Sequence, residues 1–543
     1  MTALEEEEAG TMSRQDRART VRDYAETMFW RGRVPIEPLN FQPNWHDQPS
    51  KHKTYLGVPR LPLPAALPDL GPVSEAFGGE AGKGPDWTLD SVSALLRLSY
   101  GLLDRRLRIG WNQDIDDRVH YEEALWGRGS ASGGGMYPLE TYWVTGGSGP
   151  VAPGVYHYST AHHALERLLT GDVSGRVREA LGEDPGTDQF LLVAVRFWKN
   201  SYKYNSFCYH VVTQDAGAML GSWELVARGL GRPLRRALWF ADEPINSLLG
   251  LETLDESVLA VVPLPWAGGD APARPAGGSE RLVDRPFYER SREILRFEQT
   301  ERAHLATLLD AEEARARPVA APGSPVVPVP VPAGTHVPLP PPAPGDGELG
   351  EVLRRRRSSF GSFTAQPPMS LGELGTVLVG AASAQRYSAD VKAADAPLTR
   401  LYVLANRVDG LTPGTYAYEA DGHRLATIAE RDLGTFLQRA YYLTNYNLDQ
   451  VAAVVAIAAS LDSALELFGG RGYRVLNSEV GAVAQTAYVA ACAAGVGCGA
   501  VLGFDNIAID ECVGLDRSDE RTFLFLLLGH ERTDPADFDY RLV

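Results

Sequence analysis

The sequence is poor in the features that mark an exported or membrane-bound protein. It has four cysteines in 543 residues, Cys208, Cys492, Cys498 and Cys512, and no two form a Cys-x-x-Cys pair. Neither a disulfide framework nor a cysteine-based metal knuckle is expected. The start, MTALEEEEAG, is acidic and has no apolar stretch, unlike a secretory signal. No apolar run reaches the roughly 18 residues of a membrane helix, so a cytoplasmic protein is the expectation. Net positive charge is also lacking: 52 basic residues face 69 acidic ones, for a formal charge of −17. A general nucleic-acid binder needs a basic face, and that class is set aside. Lysine is scarce, six of the 52 basic residues, which reads as compositional bias toward arginine. His46 and His52 in WHDQPSKH have no further ligands nearby and make a poor zinc set, so no metal is expected.

What is present is a core: 44% of residues are hydrophobic, and the length points to two or three domains. Residues 1–34 read as a polar, helical or frayed leader. A first globular block, 35–266, closes on the apolar strand VLAVVPLP. A connecting region, 267–347, follows. Within it, apolar residues recur at helical spacing over 284–317, which predicts one long amphipathic helix. The segment 318–347, PVAAPGSPVVPVPVPAGTHVPLPPPAPGDG, is Pro-rich, extended and semi-stiff. The second block is 348–543.

The blocks are degenerate copies of each other. FLLVAVRFWKNSYKYNSFCYHVVTQDAGAMLGSWELVARGLG in the first and VAAVVAIAASLDSALELFGGRGYRVLNSEVGAVAQTAYVAACAAGVG in the second both read as buried strand, loop and long helix. Tyr209 aligns with Tyr473 and Gly217 with Gly481, and each helix ends at a Gly-x-Gly, Gly229–Gly231 and Gly495–Gly497. A repeat on the order of 200 residues means two homologous α+β domains, not a solenoid.

Four stretches carry chemistry. LRRRRSSFGSF in the second block sets arginines and serines at one point, a group suited to a phosphate dianion and equally compatible with a solvated charge run. GVGCGAVLGFDN, 495–506, offers bare backbone to a ligand or a plain helix C-cap. RGSASGGGMYPLETYWV, 128–144, breaks the chain at three glycines before a strand, so that a flat ligand can lie on Gly133 and Gly134; a flexible turn is the alternative. Lys203-Tyr204 in KYNSFCYH is a candidate general acid/base pair, because burial lowers a lysine pKa toward neutrality; a surface lysine capping a helix is the bland alternative.

Together these fragments resemble the nitroreductase superfamily and, within it, the azoline dehydrogenases of the SagB/McbC type. WHDQPSKH is similar to that branch's His-x-x-Thr/Ser-Lys-His stretch. RGSASGGGMYPLE is similar to its Ser-Gly-Gly turn before a strand, with Ala131 in place of proline. KYNSFCYHVVTQDAG is similar to its Lys-Tyr run, with His210 in place of arginine. RRSSFGSF and GVGCGAVLGFDN are similar to the superfamily's phosphate grip and flavin-edge loop. The resemblance implies FMN as cofactor, held by Arg356, Arg357 and Ser359 with Gly495, Gly497, Cys498 and Gly499. Ser132, Gly133, Gly134 and Arg128 would line it from the first block. Lys203 and Tyr204 would be catalytic. The grip's usual second cation is replaced by Gly361, for which Arg356 or Arg532 would compensate.

The departures carry information. The first block lacks the Arg-x-Ser start. The second lacks the Ser-Gly-Gly turn, reading VKAADAPLTR, and has Leu467-Phe468 in place of Lys-Tyr. Superfamily homodimers build each flavin site from both subunits. The resemblance therefore implies an intramolecular pseudo-dimer of two fused nitroreductase-like α+β domains, each a mainly antiparallel sheet flanked by helices, with one working composite site. The implied reaction is oxidation of thiazoline or oxazoline rings in a ribosomally made peptide. Lys203 or Tyr204 would take a proton, hydride would pass to the flavin and oxygen would reoxidise it; no GxGxxG nicotinamide fingerprint is evident. The implied partners are the azoline-containing precursor peptide and a cyclodehydratase. Rival readings are an NAD(P)H-dependent nitro or quinone reductase, a cyclic-dipeptide oxidase, or a flavin-free protein that binds a peptide for a partner.

Overall fold

A computed structural model describes residues 12–78, 86–110, 120–232, 234–266, 281–282, 286–320, 335–343, 347–359, 363–443, 446–532 and 538–543. Gly361 and residues 321–334 lie outside them. The elements that position the site are five helices and two sheets. The helices are α1 (Arg14–Trp30), α2 (Trp198–Tyr204), α3 (Cys208–Gly229), α4 (Leu461–Phe468) and α5 (Gly472–Ala493).

The first sheet holds β1 (Arg60–Pro62), β2 (Leu139–Thr145), β3 (Gly154–Ser159), β4 (Ala164–Thr170), β5 (Gln189–Arg196) and β6 (Glu256–Pro263), in the order β1-β4-β3-β2-β5-β6; Arg281–Leu282 adds a seventh strand against β4. The second holds β7 (His336–Pro338), β8 (Thr399–Ala405), β9 (Gly414–Glu419), β10 (Arg424–Glu430), β11 (Ala453–Ser460), β12 (Gly497–Val501) and β13 (Glu520–Gly529), in the order β7-β10-β9-β8-β11-β13-β12. All pairings within both sheets are antiparallel. Up to β6 and β13 the two orders are the same path drawn twice, as the aligned sequence fragments imply. At the place of β12, the first sheet keeps a single bridge, Ala237 to Val261.

Between the sheets lie α3 and α5. From Cys208 to Ala227 and from Gly472 to Ala491 every residue is buried, as expected for helices apolar on most of their circumference. The two aligned glycines make the crossing possible. A methyl group on Gly217 would run into the carbonyl oxygen of Ser478, and one on Gly481 into that of Gln214. The aligned tyrosines stack, Tyr209 on Tyr473, with ring centroids 6.1 Å apart and planes 12° apart. Polar groups inside this interface are paired across it: Gln214 Nε2 donates to Asn477 Oδ1 at 3.0 Å. Arg471 and Arg474 both reach Asp242 of the first half, at 2.9 and 2.8 Å. One apolar cluster consequently runs through both halves, while a smaller one backs the outer face of each sheet. The outcome is a mixed α+β fold with two antiparallel sheets and a shared helical core. Among the described residues no helix is long and apolar enough to cross a membrane.

One expectation needs correction. The segment 284–317 is not one helix: helices cover Glu298–Leu305 and Ala311–Arg315. Tertiary contacts override its periodicity. Residues 286–288 run extended against 54–56, with Leu56 N–H donating to the Pro286 carbonyl and Tyr288 N–H to that of Thr54. The Glu289 carboxylate then accepts from the backbone N–H of Ser50, Arg290 and Ser291, and Asp310 opens a separate capping box with Glu313. The N-terminal residues, read as a polar, helical or frayed leader, are helical over Arg14–Trp30. Helix α1 is capped by Ser13 and buries Val21, Tyr24, Ala25, Met28 and Phe29. Tyr24 Oη donates to the Ser206 carbonyl, and Arg14 donates to that of Leu467, so α1 touches both halves.

Candidate active site between the two halves

The Ser-Gly-Gly turn and the Lys-Tyr pair meet. Ser132 Oγ donates to Asp215 Oδ2 at 2.7 Å, and the N–H of Gly133 donates to Asp215 Oδ1 at 2.7 Å, so a carboxylate on α3 fixes the turn. The turn then passes through Gly134 at φ 61°. A Cβ there would strike the Tyr204 hydroxyl and the Lys203 ammonium; glycine is what lets the pair approach the backbone this closely. Lys203 Nζ reaches the Gly134 carbonyl at 3.5 Å and stands 6.0 Å from the centre of the Trp45 ring. Burial lowers the Lys203 pKa and raises that of Tyr204. Burial also lifts Asp215 to about 7, against the hydrogen bonds from Ser132 and Gly133.

The second half closes on the same turn. Arg356, at the end of the helix Leu349–Arg355, is buried and spends its guanidinium on three carbonyls of the first half: Nε on Gly129 at 2.9 Å, Nη2 on Arg128 at 2.8 Å and on Ser130 at 3.3 Å. Among the described residues its Nη1 is buried without a hydrogen-bond partner, as is the Oγ of Ser359. Ser359 N–H donates to the Cys498 carbonyl at 2.7 Å, which sets the arginine–serine stretch beside 497–501. The Tyr488 hydroxyl ties both together, 3.0 Å from Ser358 Oγ and 2.5 Å from the Ala500 N–H. Gln485 on α5 accepts from Ala131 N–H and donates to the Gly129 carbonyl. Arg128 turns inward, stacked on Tyr100 and Tyr137, its Nη1 on the Tyr100 carbonyl and its Nε unpartnered.

Some residues sit elsewhere than expected. Arg357 points to the surface and pairs with Glu531 at 3.3 Å; Arg532 is exposed. The stretch 497–501 is an edge strand, β12, not a loop, because Val501, Cys498 and Gly499 find register partners on β13; Gly495 is the left-handed residue, φ 72°, that ends α5. Burial raises the Cys498 thiol, which argues against reactivity. Tyr209 and His210 are core residues: Tyr209 Oη bonds Thr307, and His210 lies between Tyr473 Oη and the Phe523 carbonyl with its pKa lowered to about 3 by burial. His46 is exposed, and His52 Nδ1 bonds Thr160 Oγ1 at 2.8 Å. Asp215 and Gln485 went unassigned in the sequence. Asp215 stands in the Lys-Tyr run and was legible there, whereas nothing local marks Gln485.

The equivalent position on the other side of the helix pair is filled. Lys392 precedes β8 by the same seven residues by which Ser132 precedes β2, and it pairs with Glu479 at 3.0 Å where Ser132 pairs with Asp215. Phe468 ends α4 where Tyr204 ends α2. Asp390 accepts from the N–H groups of Leu238 and Trp239, and connecting-region residues close over it: Ala320 N–H donates to the Val391 carbonyl, and Trp239 Nε1 to that of Glu313.

With this geometry in hand, comparison with known proteins is informative. A family model described as Nitroreductase family matches residues 353–530. A curated protein of Methanocaldococcus jannaschii, assigned by name to the nitroreductases, is 32% identical over 168 residues, 30% of this chain and 83% of that protein. The chain belongs to the nitroreductase family. Another relative in that search is the trifolitoxin-processing protein TfxB of Rhizobium leguminosarum bv. trifolii, 25% identical over 223 residues, 38% of this chain; the match spans 57% of TfxB. The crystal structure of an Anabaena variabilis protein, also assigned to the nitroreductases, superposes with a TM-score of 0.70 at 22% identity, over 94% of this chain and 99% of that one. That likeness gives this nitroreductase-family chain the same fold along nearly its whole length.

Proposed function

We propose that this nitroreductase-family oxidoreductase is an FMN-dependent dehydrogenase that oxidises thiazoline or oxazoline rings in a ribosomally made peptide. The observation that carries the reading is the convergence of two half-sites. The turn and the Lys203–Tyr204 pair come from the first half, and the Arg356–Ser359 stretch comes from the second. On this reading the two halves, 35–266 and 348–543, are fused pseudo-protomers joined by 267–347. They retain one working site, and the connecting region seals the other.

The residues present fit FMN. Arg356 Nη1 and Ser359 Oγ are buried donors with no partner, and a phosphate dianion would satisfy both. Gly133 and Gly134, in the turn that meets Lys203 and Tyr204, would line the ring system. When bound, FMN supplies a two-electron acceptor that takes hydride from the ring.

An azoline carries a C–H flanked by a carbonyl and an imine-type nitrogen, so that proton is acidic. Lys203, with its pKa lowered by burial, is the group suited to take it, because the shift favours the neutral amine that a base requires. Tyr204, held protonated, donates a hydrogen bond to the substrate acceptor. Asp215 keeps the turn in place and, carrying a proton below about pH 7, adds little negative charge to the site. The name of TfxB supports a role in peptide natural-product maturation. Azolines arise by dehydrative ring closure on Cys, Ser or Thr, so a cyclodehydratase is the enzyme class that must act before this one.

The test is mass spectrometry of an azoline-containing peptide incubated with the FMN-loaded protein. The expected result is a loss of about 2 Da per ring, the proton and the hydride together, with one FMN per chain at saturation. An unchanged peptide mass overturns the reaction, and two flavins per chain overturn the single composite site.

A further inference from the structure

A cavity of about 460 Å³ opens on the flank of α2 away from Lys203. Trp198 and Ser201 of α2 line it; Lys203, two residues on, projects about 200° around the helix. The walls are apolar and aromatic, among them Leu249, Leu254, Phe287 and Phe297, and the rim carries Leu251, Ile294 and Leu295. Ile294 and Leu295 are exposed at 53% and 39%, although charged residues surround them in sequence. The volume lies within the range of about 300–1,000 Å³ typical of ligand sites. None of the residues assigned above to the flavin or to proton transfer lines it.

The floor has unused donors. Lys53 is buried, with its ammonium on Tyr142 Oη and Glu256 Oε2, both at 2.7 Å. Arg196, 6% exposed, donates to Glu289 at 2.6 Å through Nη2, while its Nη1 has no hydrogen-bond partner. The floor carboxylate is occupied: Glu256 takes Lys53 on one oxygen and Tyr142 Oη on the other. The two floor cations are paired with Glu256 and Glu289, and Arg296, Glu252, Asp255 and Glu301 are the other charged residues of the lining. Such a floor takes an oxygen acceptor, a carbonyl or a carboxylate, and the walls take an apolar or aromatic body.

We propose that this cavity is a second binding site, for an aromatic side chain of a peptide together with its adjoining backbone carbonyl or carboxylate. Resting on the azoline-dehydrogenase reading, it holds a residue flanking the ring presented to Lys203. The two sites lie on opposite flanks of one helix. A helix is about 10 Å across, a distance that three or four extended residues span. The stretch WHDQPSKH, singled out in the sequence, leads from one to the other: Trp45 packs on Tyr202 beside Lys203, and Lys53, the residue after its last histidine, lies at the cavity floor. The site accordingly selects peptides by sequence near the ring and leaves the ring chemistry to the first site.

The test uses the flavin-loaded full chain and a Leu251→Asp, Ile294→Asp double variant. Both positions are on the rim and outside the proton-transfer site. The probes are acetyl-Gly-Phe-Gly-amide, acetyl-Gly-Phe carboxylate and acetyl-Gly-Gly-Gly-amide, titrated calorimetrically. The wild type is expected to bind a Phe probe at least about tenfold more tightly than the Gly probe, and the double variant to lose that preference. A stronger Phe carboxylate than Phe amide assigns the floor to a peptide C-terminus, and the reverse order to an internal carbonyl. With an azoline peptide carrying a flanking Phe, the variant's KM should rise about tenfold with kcat and flavin content unchanged. Equal binding of Phe and Gly probes by the wild type, or an unchanged preference in the variant, overturns the proposal. Probe binding that is lost in the variant, with no azoline oxidised by either protein, leaves the cavity assigned and removes the dehydrogenase reading.

Discussion

Arginine 356 and its neighbour separate a buried grip from a surface charge. Arg356 donates to the carbonyls of residues 128–130 across the two halves, and its Nη1 has no hydrogen-bond partner among the described residues. A charge-assisted hydrogen bond to a bound phosphate contributes about 1.5–3 kcal/mol. At about 1.4 kcal/mol per decade, Arg356→Ala should weaken FMN binding roughly 10- to 150-fold. The same change strips buried carbonyls of their donor, so the flavin-free protein should also lose about 1–3 kcal/mol of stability for a partner left unsatisfied. Arg356→Lys keeps the charge but not the fork and should fall between. Arg357, by contrast, is 42% exposed in its pair with Glu531, and such pairs contribute about 0–1 kcal/mol. Arg357→Ala should bind FMN within about fivefold of wild type. The assay is flavin fluorescence titration of the stripped protein, with urea denaturation for stability. Full flavin retention by Arg356→Ala together with loss in Arg357→Ala would refute the reasoning and put the phosphate at the surface.

Lys203→Ala and Tyr204→Phe should both purify with FMN, since neither supplies a buried phosphate donor, yet oxidise azoline peptide about 100- to 10,000-fold more slowly; wild-type rates in both would make the pair structural. Gly481→Ala drives a methyl into the Gln214 carbonyl and the Ala218 N–H. Backbone there cannot yield cheaply, so the denaturation midpoint should drop by the equivalent of about 1–3 kcal/mol; an unchanged midpoint would mean that the two central helices are less closely packed. Asp215, with its pKa raised by burial to about 7, holds a proton that the unfolded chain gives up near pH 4. Its stabilising contribution is thus full below about pH 4 and is lost as pH rises through about 7. Asp215→Asn should flatten the decline in stability between pH 4 and 7, measured by denaturation at fixed pH values; the same slope in the variant would count against a titrating Asp215.

Much was legible because it depends on local or periodic features. The aligned runs around Tyr209 and Tyr473 set out two helices before any coordinates, since burial on all sides leaves an apolar composition that one sequence can display twice. The Ser-Gly-Gly turn and the Lys-Tyr pair could be read because both need particular residue types: a Cβ at Gly134 would collide with Tyr204. What the sequence could not decide is whatever depends on partners distant along the chain. It gave the phosphate to Arg357 and left Arg356 as a compensating cation. Only the carbonyls of residues 128–130, more than 200 residues away in sequence, make one buried and leave the other on the surface. The periodicity of 284–317 promised a single helix, but Thr54, Ser50 and the Glu289 carboxylate offered the backbone better hydrogen bonds outside it. Gln485 bridges the halves with no local signal at all. Local chemistry thus fixed which groups are available, and the packing of one half on the other fixed which of them face the same site, because burial and hydrogen-bond satisfaction are properties of the assembled core.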